Sequence, residues 1–269
     1  MNENILQSRI VKTATTAAEE AGKELLRLFG GNLSIRRKYD YPGSIVTNAD
    51  ERADRIILAR IKKSRIKSTV VSEEAGTVDF GSDEVLWAVD PLDGTFNYAK
   101  NIPYFAVSVG VMVGGTPTVG VIYNPVLNEM FVARKGHGSY LNGRRIHVST
   151  TQSLEDASLI FEWWNPEPKI PDPLGFQKKL YGLTRSLRSP GSVALNLCAV
   201  ASGRFDGLIT IFEKSPMYEL CAGCLLVQEA VGIVTNSTGQ SWESLKGSVL
   251  AGGELVHARL MSMVNSRKG

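Results

Sequence analysis

The chain has 269 residues, of which 43% are hydrophobic and 21% charged, a balance typical of a folded protein with a buried core. Its 30 basic and 27 acidic residues give a net charge of +3, which does not favour nucleic acid as a partner. No apolar run reaches the roughly 18 residues of a membrane helix, so we expect no membrane partner. The N-terminus shows no basic-then-apolar leader, so we expect a cytoplasmic protein.

The beginning of the chain predicts two helices with a loop between them. Apolar residues follow helical spacing in the first: Ile10, Ala14, Ala17, Ala21 and Leu25. The glycine pair at 30–31 ends it. A polar, turn-rich stretch over 36–44 predicts a loop, whose basic start indicates a solvated surface that could also attract a phosphorylated substrate. The second helix is predicted from Thr47 to about Lys63, and Thr47 and Asp50 have the spacing of a capping box.

The middle of the chain predicts strands, because short apolar runs alternate there with turn residues. The predicted strands are 69–71, 85–89, 106–113, 118–123 and 130–133. The last three follow one another without a long helix and predict an antiparallel meander. Asn142 and Gly143 then predict a tight turn.

Beyond about residue 150, helices and strands alternate again. The predicted strands are 159–161, 207–212 and 249–251, and the predicted helices are 176–187, 194–201, 218–230 and 255–264. This change of pattern predicts an α+β half over residues 1–150 and an α/β half over residues 151–269, packed as one compact unit.

The residues that indicate chemistry follow the predicted strand 85–89. Asp90 comes directly after it and Asp93 three residues later, with Gly94 and Thr95 next. Acids at the carboxyl end of a strand lie where α/β proteins place their sites, and two close carboxylates repel each other unless a cation lies beside them. Their oxygens, with no histidine nearby, favour Mg²⁺ or Mn²⁺ over zinc. Gly94 and Thr95 would offer N–H groups to a phosphate if a helical turn starts there.

A plain turn is the simpler interpretation of the Asp-Pro-Leu-Asp-Gly segment, because these residue types favour turns without any chemistry. We prefer a functional site because Trp87, Thr95 and Asn97 accompany the two acids at fixed spacing.

The stretch WAVDPLDGTFNY over 87–98 resembles the first signature of the inositol monophosphatase superfamily. The other matching segments are 46–50, 72–74, 190–196 and 218–223, within a resemblance that extends from Thr47 to Gly253. The superfamily contains metal-dependent, typically lithium-sensitive phosphomonoesterases. The resemblance implies an α+β / α/β fold, a layered α-β-α-β-α sandwich with mixed sheets. We expect the archaeal-type branch, which acts on both inositol monophosphate and fructose 1,6-bisphosphate.

The resemblance also implies a metal centre with two or three Mg²⁺ ions, for which Mn²⁺ could substitute. Glu73, Asp90 and the carbonyl of Leu92 would hold one ion. Asp90, Asp93 and Glu219 would hold another. The family has aspartate where this chain has Glu219, and the extra methylene places the second metal position in question.

The remaining roles follow from the same resemblance. Gly94 and Thr95 would bind the phosphate. The implied catalytic residues are Glu73, Thr95 and Asp50, with Glu73 and Thr95 helping to deprotonate a metal-activated water and Asp50 hydrogen-bonded to Thr95. The implied substrate contacts are Asp93, Arg188, Gly191, Ser192, Val193 and Glu213.

Simpler interpretations remain for several of these residues. Asp50 could serve only the capping box, and Glu73 with Glu74 could be a solvated charge pair. Ser192 could be only the N-cap of a helix. The family's acid before Val46 is replaced by Ser44 and Ile45, which bears on how the preceding loop closes.

The leading hypothesis is therefore a Mg²⁺-dependent phosphomonoesterase acting on inositol monophosphate, fructose 1,6-bisphosphate or both. A nucleotide phosphatase acting on 3′-phosphoadenosine 5′-phosphate or NADP is an alternative, with Arg188 and Arg204 available for a second phosphate. For Arg204 a surface position is simpler. A weakly active binding protein is a further alternative. The resemblance implies a homodimer, and Cys221 and Cys224 indicate a tightly packed helix rather than a redox pair.

Overall fold

The protein is described by a computed structural model that covers residues 3–38, 45–82, 84–163, 173–211, 217–242 and 248–265. Its helices are α1 (Glu3–Leu28), α2 (Asn48–Ser64), α3 (Thr95–Ala99), α4 (Pro173–Tyr181), α5 (Val193–Ala201), α6 (Met217–Glu229) and α7 (Glu254–Asn265). Two short strands, β1 (Ile35–Arg37) and β2 (Ile45–Thr47), pair antiparallel between α1 and α2. No helix in these ranges is both long and apolar enough to cross a bilayer.

The larger sheet has eight strands among the described residues. They are β3 (Thr69–Ser72), β4 (Gly76–Asp79), β5 (Val85–Asp93), β6 (Ala106–Val113), β7 (Thr116–Asn124), β8 (Glu129–Arg134), β9 (Gly138–Leu141) and β10 (Arg144–Ile146). Their order is β10-β9-β8-β7-β6-β5-β3-β4, and only the β3–β5 pair is parallel. The predicted meander is confirmed as β6, β7 and β8, each antiparallel to the next.

The smaller sheet has five strands in the described part of the chain. They are β11 (Ser158–Trp163), β12 (Ser186–Arg188), β13 (Gly207–Ile211), β14 (Ile233–Asn236) and β15 (Val249–Gly252). Their order is β12-β11-β13-β15-β14. Strand β11 pairs parallel with both neighbours, and β15 pairs antiparallel with both of its neighbours, so this sheet is mixed as well.

The two sheets and the helices form the predicted layered sandwich. Helices α1 and α2 pack on one face of the larger sheet, and α5 and α6 fill the space between the sheets. Helices α4 and α7 cover the outer face of the smaller sheet. Alternation along β11 explains the layering: Ile160 faces the α5–α6 layer, whereas Leu159 and Phe161 face α4 and α7. The division near residue 150 remains our proposal.

Local sequence signals set several boundaries. The capping box of α2 is present: Thr47 Oγ1 accepts from the Ala49 N–H at 3.1 Å, and Asp50 Oδ2 accepts from the Thr47 N–H at 2.8 Å. Asn142 and Gly143 form the predicted turn between β9 and β10, both with positive φ angles of 48° and 77°.

Two predicted elements were wrong in part. The predicted helix 176–187 ends at Tyr181, because residues 186–188 instead form β12 and gain a parallel partner in β11. The predicted loop 36–44 begins with Arg36 and Arg37 in strand β1, whose exposed side chains gave no apolar alternation to detect. Positions 39–44 and Phe212, the end of another predicted strand, lie outside the described residues.

Helix α6 lies unusually close to the larger sheet at a pair of glycines. Gly110 on β6 and Gly120 on β7 are cross-strand partners. A Cβ atom on Gly110 would lie 2.6 Å from Cys221 Sγ, and one on Gly120 would lie 2.6 Å from the Ala222 carbonyl oxygen. The predicted packing role of the small residues in α6 is confirmed by this contact, and Cys221 and Cys224 are buried there.

We predict that Gly120→Ala destabilises the fold by about 1–3 kcal/mol, because the new methyl group would overlap a backbone atom that cannot move alone. Chemical unfolding monitored by circular dichroism measures the change. Gly182→Ala is the matched control, since its nearest neighbour would lie 3.7 Å away. Equal stability of the two variants would show that α6 can shift without cost.

Candidate active site

The centre of the site is the end of β5 and the start of α3. The pairing of β5 with β6 shifts register between Asp90 and Asp93, where Pro91 has no N–H to donate to the ladder. Gly94 then caps α3 with a φ of 92°, a conformation that favours glycine. A Cβ at Gly94 would lie 3.0 Å from the Tyr104 carbonyl oxygen. The helical turn expected at Thr95 is therefore present, and the first-turn amides of α3 have no partner within the helix.

Thr95 is held by two acceptors. Its Oγ1 lies 2.9 Å from Asp50 Oδ1 and 3.0 Å from the Leu92 carbonyl oxygen, so the predicted Asp50–Thr95 hydrogen bond is present. Burial raises the pKa of Asp50 to about 6, although hydrogen bonds from Thr47 and Thr95 oppose the shift. Asp50 thus belongs to the capping box and to the site at once.

Asp90 lies at the meeting point of the site's acids. It is 2% exposed, and its Oδ1 accepts from the Leu92 N–H at 3.0 Å. Burial raises the pKa of Asp90 well above its ordinary value, and the negative charges of Glu73, Asp93 and Glu219 raise it further. The structure therefore brings together the four predicted acidic ligands, which come from β5, α6 and the turn after β3.

Asp93 connects the site to α5. Its Oδ2 accepts from the Ser192 hydroxyl and from the Ala194 N–H, the latter at 2.9 Å. Burial raises the pKa of Asp93 to about 6 against these hydrogen bonds. Burial likewise raises the pKa of Glu219 well above its ordinary value, with the charges of Glu73 and Asp93 adding to the effect.

Lys38 supplies a positive charge at the edge of this cluster. Its Nζ donates to the carbonyl and Oε1 of Glu73, at 2.9 and 3.1 Å, and to Glu74 Oε1 at 2.8 Å. Burial lowers the pKa of Lys38, yet the two glutamates outweigh this and hold it above its ordinary value. Sequence reasoning missed this contact, although the basic run at 36–38 was a signal that could have found it.

The acids fit a hard divalent cation in donor chemistry and in charge. Carboxylate and carbonyl oxygens are the ligands of Mg²⁺, and buried carboxylates that raise one another's pKa values need a cation to stay ionised together. Within the described residues, no three acidic, histidine or cysteine side chains already stand in a metal-binding arrangement. Glu73 is turned to Lys38 and Asp93 to Ser192, so ion binding would require these side chains to rotate.

The predicted substrate residues are only partly brought to this place. Ser192 caps α5 and contacts Asp93, and Gly191 and Val193 flank it. Arg188 is exposed on β12, where its Nη1 donates to the Leu187 carbonyl. The list of predicted contacts also includes Glu213, which lies outside the described residues.

Arg204, the other arginine considered for a second phosphate, is engaged elsewhere. Both of its terminal nitrogens donate to the Glu129 carboxylate, and its guanidinium lies 5.9 Å from the centre of the Phe131 ring. This supports the simpler interpretation of Arg204 as a surface residue.

Two hydrogen-bonding residues near the site had no assigned role in the sequence. Asn97 Nδ2 donates to the carbonyl oxygens of Tyr104 and Pro190, at 2.9 and 2.8 Å. Glu162, at the carboxyl end of β11, accepts from the Gly191 N–H at 2.7 Å. The signal for Glu162 was an acid at the end of an apolar strand, which sequence reasoning did not use.

Comparison with known proteins places this geometry in a family. A profile of the inositol monophosphatase family matches residues 6–268. The chain is 34% identical over 256 residues to the Nus factor SuhB of Escherichia coli, covering 94% of this chain and 95% of that protein. It is 36% identical over 253 residues to the inositol-1-monophosphatase of Synechocystis, covering 93% and 86%.

Solved structures agree with the fold. The extragenic suppressor protein suhB from Bartonella henselae superposes with a TM-score of 0.86 at 32% identity, covering 96% of this chain and 99% of that one. An inositol monophosphatase-fructose 1,6 bisphosphatase superposes with a TM-score of 0.81 at 25% identity. The expected specific likeness to the archaeal-type branch is therefore corrected, since SuhB and bacterial inositol monophosphatases are more similar. With a match along nearly its whole length, the chain belongs to the inositol monophosphatase family.

Proposed function

We propose that the chain is a Mg²⁺-dependent phosphomonoesterase that hydrolyses small sugar phosphates, with inositol monophosphate or fructose 1,6-bisphosphate as the substrate. The observation that carries the proposal is the convergence of Glu73, Asp93 and Glu219 on buried Asp90, directly beside the amides at the start of α3. Acids that repel one another next to a donor-rich turn suit a cation and an anion bound together.

The chain's own residues supply orientation and charge. Glu73, Asp90, the Leu92 carbonyl, Asp93 and Glu219 would hold the ions. Bound Mg²⁺ would supply charge neutralisation at the phosphoryl oxygens and lower the pKa of a nearby water. The α3 amides would orient the phosphate. Asp50 would accept the Thr95 hydroxyl proton's hydrogen bond and so aim the Thr95 lone pairs towards the attacking water.

A substrate panel tests the proposal and separates it from the nucleotide alternative. Phosphate release would be measured with inositol 1-phosphate, fructose 1,6-bisphosphate, NADP and 3′-phosphoadenosine 5′-phosphate, with and without Mg²⁺. We expect turnover of the first two only, and only with Mg²⁺. Preference for the last two would replace sugar phosphates with nucleotides in the proposal.

A binding role on the same scaffold is the second candidate. Relatives at 34% identity carry the name Nus factor, and Glu219 departs from the family's aspartate. The absence of a nucleic-acid partner therefore stays a prediction, as does the homodimer. No Mg²⁺-dependent phosphate release from any ester in the panel would favour this candidate over an enzyme.

We predict that Asp90→Asn lowers turnover by more than the roughly 10–100-fold typical of outer-shell changes at metal sites, because Asp90 would be shared by both ions. Phosphate release at saturating Mg²⁺ measures the effect. Asp79→Asn is the control, because Asp79 is an exposed acid on the edge strand β4. Near-normal turnover in Asp90→Asn would contradict the site assignment.

We predict that stabilisation by Mg²⁺ grows with pH. Asp50 and Asp93 have folded-state pKa values of about 6, above the 3.8 of unfolded aspartate. In the metal-free protein their contribution to stability is full below about pH 4 and lost as pH rises through about 6. Mg²⁺ competes with those protons, so its increase in Tm should be larger at about pH 8 than at about pH 5. An increase in Tm that is equal at both pH values, or unchanged by Asp90→Asn, would oppose ion binding here.

We predict that Glu219→Asp keeps or raises activity at limiting Mg²⁺. Aspartate is the family's residue at this position, and the shorter side chain would reduce crowding among carboxylates that already raise the pKa of Glu219. The measurement is the Mg²⁺ concentration for half-maximal phosphate release. Glu219→Ala is the comparison variant, expected to weaken the Mg²⁺ dependence. Loss of turnover in a folded Glu219→Asp protein would mean that the glutamate length itself is required.

A further inference from the structure

Glu162 is a buried acid for which the proposed reaction has no role. It is 3% exposed and lies on β11, outside the acidic cluster. Its Oε2 accepts from the Ser189 hydroxyl at 2.9 Å. Its Oε1 accepts from the Gly191 N–H at 2.7 Å and from Asn196 Nδ2 at 2.9 Å. A buried carboxylate is costly unless donors surround it, and here each donor belongs to the segment 189–196.

The segment that Glu162 holds borders the candidate phosphate site. The Gly191 carbonyl oxygen would lie 3.4 Å from a Cβ on Gly94. Ser192, the next residue, donates its hydroxyl proton to Asp93. A displacement of Gly191 would therefore move both the edge of the phosphate turn and the partner of an implied metal ligand.

Asn97 holds the same segment from the opposite side. Its Nδ2 reaches the Pro190 carbonyl, and a Cβ on Gly191 would lie 3.1 Å from that nitrogen. Gly191 has a φ of 88°, so both its conformation and its close neighbour require glycine. The network closes through Tyr104, whose hydroxyl donates to Asn196 Oδ1 at 2.9 Å.

We propose that Glu162 is a positioning residue that fixes the segment 189–192 as the wall against which the alcohol portion of a phosphate ester is oriented. The inference rests on the proposed function and adds a determinant of its substrate preference. The phosphate portion is served by different contacts, since Thr95 is held by Asp50 and the Leu92 carbonyl. Loss of Glu162 should therefore affect an ester with a polyol leaving group more than one with a flat aryl group.

Two substitutions of similar length test this role. Glu162→Gln keeps an acceptor for Gly191 and Asn196, and its amide can donate to the Ser189 oxygen. Glu162→Met removes every acceptor from buried donors. At saturating Mg²⁺, we expect Glu162→Met to lower kcat/KM for inositol 1-phosphate by roughly tenfold or more, mainly through KM. For p-nitrophenyl phosphate we expect a change of less than about threefold, and Glu162→Gln should restore both substrates.

The outcomes separate this inference from its foundation. An equal loss on both esters in Glu162→Met, or a Gln variant as impaired as the Met variant, would overturn it. If the unsubstituted protein hydrolyses neither ester, the proposed function fails instead. Amide hydrogen exchange then decides positioning alone: Gly191 should exchange faster in Glu162→Met and normally in Glu162→Gln, and unchanged exchange would overturn it. If Glu162→Met does not fold, Ser189→Ala, which removes one bond, should shift the ratio of the two esters in the same direction; an unchanged ratio would overturn the role.

Discussion

Repulsion among buried carboxylates is the constraint on which the rest of this structure depends. Asp90 is almost fully buried, and the charges of Glu73, Asp93 and Glu219 all raise its pKa. Such a cluster is costly in an empty fold and favourable around a cation, so stability and ion binding are linked at one place. The neighbouring contacts with Lys38 and with Ser192 limit this cost in the ion-free protein, because each supplies a hydrogen-bond donor to one acid.

The cluster can exist only because the chain's two sheets are brought together by α5 and α6. Helix α6 carries Glu219 and approaches β6 and β7 closely at Gly110 and Gly120. Helix α5 begins at Ser192, which faces Asp93 across the same layer. Small residues in the middle layer therefore set the distance between acids that are far apart in sequence. A change in this packing would reach the site without touching any proposed ligand.

Asn97 and Glu162 extend this connection to the side of the site where a leaving group would lie. They hold the segment around Gly191 from opposite sides, one from α3 and the other from β11. Each is satisfied by donors or acceptors of that segment, which makes the wall rigid rather than adaptable. Substrate preference in this chain would then depend on residues that do not themselves contact the phosphate.

The sequence by itself determined the local elements and the residues around β5. Helical spacing in α1, the capping box at Thr47 and the meander of β6 to β8 were readable because each depends on neighbours along the chain. The acids at 90 and 93 and the turn at Gly94 were readable for the same reason. Tertiary structure alone decided that Lys38 contacts Glu73, that residues 186–188 add a strand to β11, and that Glu162 holds Gly191. These contacts join distant segments through packing, and no local pattern records which segments will meet.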